Sequence, residues 1–77
     1  MKSTDKRGKY DGISNALISD TIDAWVKGEK TRHILKRWII DQVTFEEIAV
    51  EVDRSPNYCQ RLASDNEWIV YEHLNLI

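Results

Sequence analysis

Apolar residues recur at helical spacing from Leu17 onward. In the first segment the apolar positions are Leu17, Ile18, Ile22, Trp25 and Val26. Residues three, four and seven apart share one face of a helix, so the pattern predicts an amphipathic α-helix. Ser14 is a suitable residue to cap its start, and Gly28 is suited to end it.

A second stripe follows and predicts a second helix. Its apolar positions are Ile34, Leu35, Trp38 and Ile39. Thr31 is a suitable N-cap for this helix, because its hydroxyl accepts hydrogen bonds from free backbone amides. The polar side of the helix presents three cations, namely Arg32, Lys36 and Arg37.

A capping box predicts the start of the third helix. Thr44 and Glu47 have the T-x-x-E spacing, which places the helix start at about Phe45. Its inward stripe is Phe45, Ile48, Ala49 and Val52. The dipole of the helix and the capping box together explain the acidic pair Glu46–Glu47 without any catalytic role.

Ser55 followed by Pro56 is the strongest boundary signal in the chain. Serine caps a helix, and proline fits the first helical position because no donor is needed there. The fourth helix runs from this point toward Leu74, or breaks near Asp65, where Ser64 and Glu67 repeat the S-x-x-E pattern. No segment alternates as a strand. The sequence therefore predicts an all-α fold, a small helical bundle of four helices, or five with the break.

The turn between the third and fourth helices has the features of a helix-turn-helix. Ala49 is small enough for a close helix crossing, and Asp53 tolerates the left-handed backbone of a tight turn. Cys59 and Leu62 face inward. The outer face of the fourth helix then carries Ser55, Pro56, Asn57, Gln60, Arg61 and Ser64. Arginine and glutamine suit the base edges of guanine and adenine, although an ordinary corner in a bundle is the alternative.

The stretch TFEEIAVEVDRSPNYCQRL resembles the promoter-recognition module, region four, of bacterial sigma factors. The preceding RHILKRWIIDQV resembles the helix before that module. Residues 17–74 are similar as a whole to small sigma-like regulators of phages and mobile elements. The resemblance implies a helix-turn-helix fold and double-stranded DNA as partner. Arg54 departs from the pattern, because an apolar residue is usual just before the capping serine.

Charge is unevenly distributed along the chain. The formal net charge is −2, but residues 1–9 and 27–37 are basic, whereas residues 41–53 are acidic. Phosphates respond to local patches within about 8–10 Å rather than to the total. Residues 1–12 are predicted to be a flexible basic arm and residues 13–77 the helix-turn-helix domain. DNA phosphates are expected at Arg32, Lys36 and Arg37 and at the arm.

The chemistry of an enzyme is not indicated. No glycine-rich phosphate loop, nucleophile motif or catalytic carboxylate pair occurs, and His33 and His73 are too isolated in sequence for a metal site. No cofactor is therefore expected.

The lone Cys59 is interpreted as a core residue and indicates a reducing compartment. No apolar run approaches the ~20 residues that span a bilayer, so a soluble cytoplasmic protein is predicted.

The C-terminal segment is apolar beyond what one helix face can bury. The residues that could form a contact between two copies of the chain are Trp68, Ile69, Tyr71 and Leu74. Four consecutive residues of a helix, 68 to 71, point in different directions, so some of this surface should remain exposed. A homodimer is one expectation, and packing against the first helix is the alternative.

Together these features predict a sequence-specific DNA-binding transcriptional regulator, encoded by a phage or mobile element, whose fourth helix enters a major groove. A packaging or excision protein is a variant of this prediction. The alternative is a protein-interaction module on the same scaffold. It would be an adaptor or inhibitor acting on RNA polymerase or another host protein, such as a defence complex, through its acidic patches.

Overall fold

A computed structural model describes residue 10 and residues 12–76 of the chain. The described part contains four helices, which are α1 (Asn15–Trp25), α2 (Glu29–Ile39), α3 (Phe45–Val52) and α4 (Pro56–His73). It contains no strand. The predicted all-α fold is confirmed, and the bundle has four helices rather than five because α4 continues through Asp65 without a break.

The start of α1 follows the sequence prediction, but the start of α2 does not. Ser14 Oγ accepts the Leu17 amide at 3.1 Å, as expected for an N-cap. The prediction that Thr31 caps α2 was wrong, because Gly28 takes that position. Gly28 has φ +89°, a conformation that glycine adopts without steric cost. The chain therefore turns early enough for Thr31 to lie inside the first turn of α2.

The segment from Thr44 to Pro56 folds as its capping residues predict. Thr44 Oγ accepts the Glu47 amide at 3.3 Å, and Ser55 Oγ accepts the Tyr58 amide at 3.1 Å. Pro56 occupies the first turn of α4. Asp53 between the helices has φ 58° and ψ 47°, which is the predicted left-handed conformation. The turn joining α3 to α4 is thus only three residues long, residues 53–55.

The core lies around α4, which contacts each of the other three helices. Its buried members from the helices and their flanks are Ile18, Ile22, Val26, Ile34, Leu35, Ile39, Ile48, Ala49, Cys59, Ala63 and Val70. Phe45, Val52 and Leu62, predicted to face inward, are partly buried against this core. Cys59 is fully buried, as predicted for a core residue, and burial raises the pKa of its thiol.

Two residues of the predicted α1 stripe lie largely outside the core. Leu17 is 52% exposed and Trp25 is 54% exposed. Leu17 is rotated by about 100° from buried Ile18, so it lies at the margin of the packed face. Trp25 is the last residue of α1. Its indole stacks on the ring of His73 near the end of α4, with centroids 4.0 Å apart.

Tyr10 is part of the folded unit, although the sequence assigns it to the basic arm. Its side chain is 3% exposed, and its hydroxyl donates to Glu67 Oε2 at 2.8 Å. Its ring lies 5.4 Å from that of Tyr71, centroid to centroid. Tyr10 thereby anchors the start of the described chain against the middle of α4. The rest of the predicted arm, apart from Gly12, lies outside the described residues.

Replacing Tyr10 by phenylalanine is expected to lower stability at neutral pH by about 1.5 kcal/mol, because a hydrogen bond to a carboxylate is lost while the ring remains. Burial, and then the neighbouring Glu67, raise the pKa of Tyr10 above its usual range. The wild type therefore loses stability as pH rises above ~10, where the unfolded chain releases this proton and the folded chain does not.

Urea unfolding between about pH 7 and 11 tests this expectation. The Tyr10→Phe variant should lose less stability over the alkaline part of this range than the wild type. Tyr58→Phe, at a partly exposed tyrosine, is the matched control and should follow the wild type. Parallel alkaline losses in the wild type and in Tyr10→Phe would contradict the assignment.

Candidate nucleic-acid interface

The outer face of α4 carries the residues that the sequence predicts for base recognition. Asn57, Arg61 and Ser64 are exposed and follow one another at spacings of four and three, so they form one stripe. Gln60 is exposed beside it. Ser55 and Pro56 are exposed at the start of the helix, but the Ser55 hydroxyl is already engaged as the cap. The structure therefore brings all six α4 candidates together on one helix end.

The polar groups on this stripe are available for a partner. Within residues 10 and 12–76, the side chains of Asn57, Gln60 and Arg61 make no hydrogen bond and no ion pair. Arg61 lines a small open hollow of about 210 Å³ together with Ser55, Asn57 and Tyr58. An arginine, an amide and a phenol thus border one concave site at the tip of the helix.

The three cations predicted to hold phosphates are all engaged within the chain. Arg32 Nε donates to the carbonyl of Val26 at 2.6 Å, which ties α2 to the end of α1. Lys36 Nζ lies 2.7 Å from Asp23 Oδ1. Arg37 binds carboxylates on two sides. A phosphate at this face would have to compete with these contacts, so the phosphate role of the three residues stays a prediction.

Arg37 is part of a charged network between α2 and α3. Its Nη2 lies 2.6 Å from Glu51 Oε2, and its Nη1 lies 3.0 Å from Asp41 Oδ2. His33 Nε2 lies 2.9 Å from Glu51 Oε1. The hydrogen bonds from Arg37, and next that from His33, lower the pKa of Glu51 to about 2. The network links α3 to α2 at the surface of the bundle.

Glu51→Gln is expected to reduce the acid sensitivity of folding. Because the folded-state pKa of Glu51 is lowered to about 2, its ion pairs stabilise the fold above the unfolded pKa of ~4.3. This contribution is lost as pH falls from about 5 toward 2. Thermal unfolding over that range should show a shallower acid loss in the variant than in the wild type, since glutamine carries no charge to neutralise.

Glu72→Gln is a suitable control for this measurement, because Glu72 is exposed on α4 and makes no ion pair among the described residues. It should keep the steep acid loss of the wild type. If Glu51→Gln and Glu72→Gln retain the same acid dependence, the network does not stabilise the fold in the way proposed.

The outward side of α3 is apolar at its centre and acidic around it, which sequence reasoning missed. Val50 is 83% exposed and lies between Glu46 and Asp53 on the same helix face. An open groove of about 680 Å³ follows this face and reaches the turn and Pro56. The signal was present in the sequence, because Val50 is an apolar residue off the inward stripe of α3.

Arg54 and Tyr58 are a second feature that the sequence did not predict. Arg54 Nη1 donates to the Asp53 carbonyl at 3.0 Å, and its guanidinium carbon lies 5.6 Å from the centroid of the Tyr58 ring. Arg54 makes no ion pair among the described residues. A cation followed four residues later by an aromatic residue was the available signal.

Three of the four residues predicted for a two-fold contact pack within the chain. Ile69, Tyr71 and Leu74 lie partly buried against the core, whereas Trp68 is 56% exposed. Helical spacing places Trp68 on the same stripe as Arg61, seven residues earlier. Of the four residues named for the homodimer, only Trp68 is thus largely exposed. The dimer itself stays a prediction.

The comparisons with known proteins give no match, so the site is interpreted from its own geometry. No protein-family model matches this chain. Curated proteins and solved structures likewise give no match. Within the described part, no helix is long and apolar enough to cross a membrane, and no group of three or more potential metal ligands comes together.

Proposed function

We propose that the protein is a sequence-specific DNA-binding protein that inserts the first turns of α4 into a major groove. The observation that carries the proposal is the exposed stripe at the capped start of α4, where the polar side chains of Asn57, Gln60 and Arg61 have no hydrogen-bond or ion-pair partner among the residues that the structure describes. Buried or paired groups would not be available to base edges. These three are available and adjacent.

The dimensions and chemistry of α4 suit this role. A major groove about 12 Å wide admits one α-helix, and α4 extends for ~27 Å, so its first half can enter while its second half remains in the bundle. Arg61 offers a planar fork to guanine O6 and N7. Gln60 and Asn57 offer an amide donor and acceptor to adenine. Ser64, one turn beyond Gln60, reaches the next base or a phosphate.

Transcriptional regulation is the biological role that we infer for this binding, and a phage or mobile element is the inferred source. Both rest on the resemblance of residues 44–62 to region four of sigma factors, in which the corresponding helix pair recognises promoter DNA. The capped turn Asp53–Ser55 and the burial of Ala49 beside it support that comparison physically. A short turn and a small residue at the crossing are what the motif requires.

A protein-interaction role is the second candidate, and the outward face of α3 favours it. Exposed Val50 flanked by Glu46 and Asp53 presents an apolar centre with an acidic rim, which suits a partner surface carrying lysine or arginine. The pairing of Lys36 and Arg37 with carboxylates also reduces the positive charge that DNA would meet. RNA polymerase or another host protein would be such a partner.

Selection of bound sequences from random duplex DNA, at a stated salt concentration, tests the first candidate. We expect enrichment of a short motif containing a guanine, with affinity that falls as salt rises. If the folded protein retains no duplex even at about 50 mM salt, the DNA proposal is wrong and the protein-interaction role is favoured. Retention without sequence enrichment would overturn the sequence-specific part of the proposal.

A further inference from the structure

The turn between α3 and α4 contains a cation, Arg54, that makes two contacts just before the start of α4. Arg54 precedes the cap Ser55, and its side chain is exposed. One of its amino groups, Nη1, donates to the carbonyl of Asp53 at 3.0 Å. The same guanidinium lies over the ring of Tyr58, with its central carbon 5.6 Å from the ring centroid. Two separate contacts therefore orient one guanidinium.

The donors that remain on Arg54 make no hydrogen bond among the described residues. An arginine has five N–H donors, and only the Asp53 contact uses one of them among the described residues. Asp53 and Glu46 line the adjoining groove, yet neither carboxylate comes within ion-pair distance of the guanidinium. A planar guanidinium with free donors fits a phosphate in a bidentate manner better than an ammonium does.

The surroundings of Arg54 differ from those of two of the α2 cations. Lys36 and Arg37 are ion-paired with carboxylates, whereas Arg54 makes no ion pair among the described residues and donates only to a backbone carbonyl, as Arg32 does. Arg54 also lies next to the start of α4, where the helix dipole adds positive potential. Arg61 follows Tyr58 by three residues on α4 and lines the same hollow as Tyr58. Arg54 and Arg61 therefore place two cations that have no carboxylate partner among the described residues near the start of α4.

We propose that Arg54 binds a phosphate of the DNA backbone beside the groove that α4 enters, and that Tyr58 is the positioning residue that holds it there. This inference rests on the proposed function and adds to it the residue that fixes the helix on the duplex. The turn thereby gains a backbone contact that carries no sequence information.

Binding of a 20-base-pair duplex of random sequence, measured between about 50 and 200 mM salt, tests the role of Arg54. Each phosphate contact contributes ~0.9 to the slope of log K against log salt. Arg54→Gln should therefore lower the slope by about one and weaken binding roughly ten-fold at about 50 mM salt, alike for all sequences. Lys27→Gln removes the same charge from the exposed loop between α1 and α2 and serves as the matched control.

A double-mutant cycle tests the role of Tyr58. Tyr58→Phe keeps the ring and should preserve the full effect of Arg54→Gln on the salt slope. Tyr58→Leu removes the ring, so Arg54→Gln made in that background should change the slope by clearly less than one. A merely structural role of Tyr58 would alter the melting temperature of the protein without changing this coupling. An equal Arg54 effect in both backgrounds would refute the positioning role.

The outcomes separate this inference from the proposed function. If the wild type binds no duplex at low salt, the proposed function fails and the inference fails with it. A second case is that the wild type binds and circular dichroism shows Arg54→Gln to be folded. If the salt slope of Arg54→Gln is then unchanged, or is lowered no more than that of Lys27→Gln, only the inference is overturned. A slope lowered by about one in Arg54→Gln and not in the control supports it.

Discussion

Replacing Ile48 by alanine is expected to cost ~2–5 kcal/mol of stability, the typical range for truncating a buried isoleucine. Ile48 is fully buried on α3, where that helix packs on α4. A domain of this size is expected to have a total stability of only ~4–12 kcal/mol. The variant should therefore unfold at a much lower urea concentration, or be partly unfolded in buffer.

Val50→Ala is the matched control, because Val50 lies two residues away on the same helix and is 83% exposed. Its stability should change by less than ~0.5 kcal/mol, since alanine loses no packing there and favours the helix. Urea unfolding followed by circular dichroism measures both variants. Similar effects at the two positions would mean that α3 does not pack through Ile48 as described.

Replacing Arg61 by alanine should cost ~1–3 kcal/mol of DNA binding and relax the preference at one base position. The reason is that Arg61 is exposed on the recognition stripe and makes no internal ion pair or hydrogen bond among the described residues. Truncation at this place removes a contact to DNA without removing one from the fold. Binding to the selected sequence and to its single-base variants measures the change.

Arg61→Lys separates charge from geometry in the same experiment. Lysine keeps the positive charge and the salt dependence, but it lacks the planar fork that binds guanine O6 and N7 together. We therefore expect affinity for random duplex to stay close to that of the wild type while the base preference weakens. A folded Arg61→Ala protein with unchanged affinity and unchanged selectivity would show that α4 does not recognise bases through this residue.

The local features of the fold could be predicted because they depend on neighbouring residues. The caps formed by Ser14, Thr44 and Ser55 each join residues three apart, so the chain within one turn decides them. The left-handed Asp53 follows from the need to reverse the chain in three residues. The prediction for Thr31 failed because α2 already starts after Gly28. The position of this start depends on where α1 ends.

The outward stripe of α4 was also predictable, because the first residue of a helix and the helical period together determine which residues share a face. Helical spacing from Pro56 places Asn57, Arg61 and Ser64 on one side and Cys59 and Ala63 on the other, and the burial of the residues agrees with it. What this face binds is not decided by that geometry. The assignment to DNA rests on the chemistry of the side chains and on the resemblance to region four, and it stays a proposal.

The sequence by itself determined which segments become helices, where three of the four begin, and which residues of α4 face outward, because each of these depends on contacts within about one turn. The tertiary structure decided how the charged residues are used. Lys36 finds Asp23 on α1, and Arg37 finds Glu51 on α3, across distances that depend on how the helices pack. Arg54, whose contacts with Asp53 and Tyr58 are local, makes no ion pair among the described residues. A run of cations in sequence therefore does not show which of them are free to meet a phosphate, because packing across the bundle sets their partners.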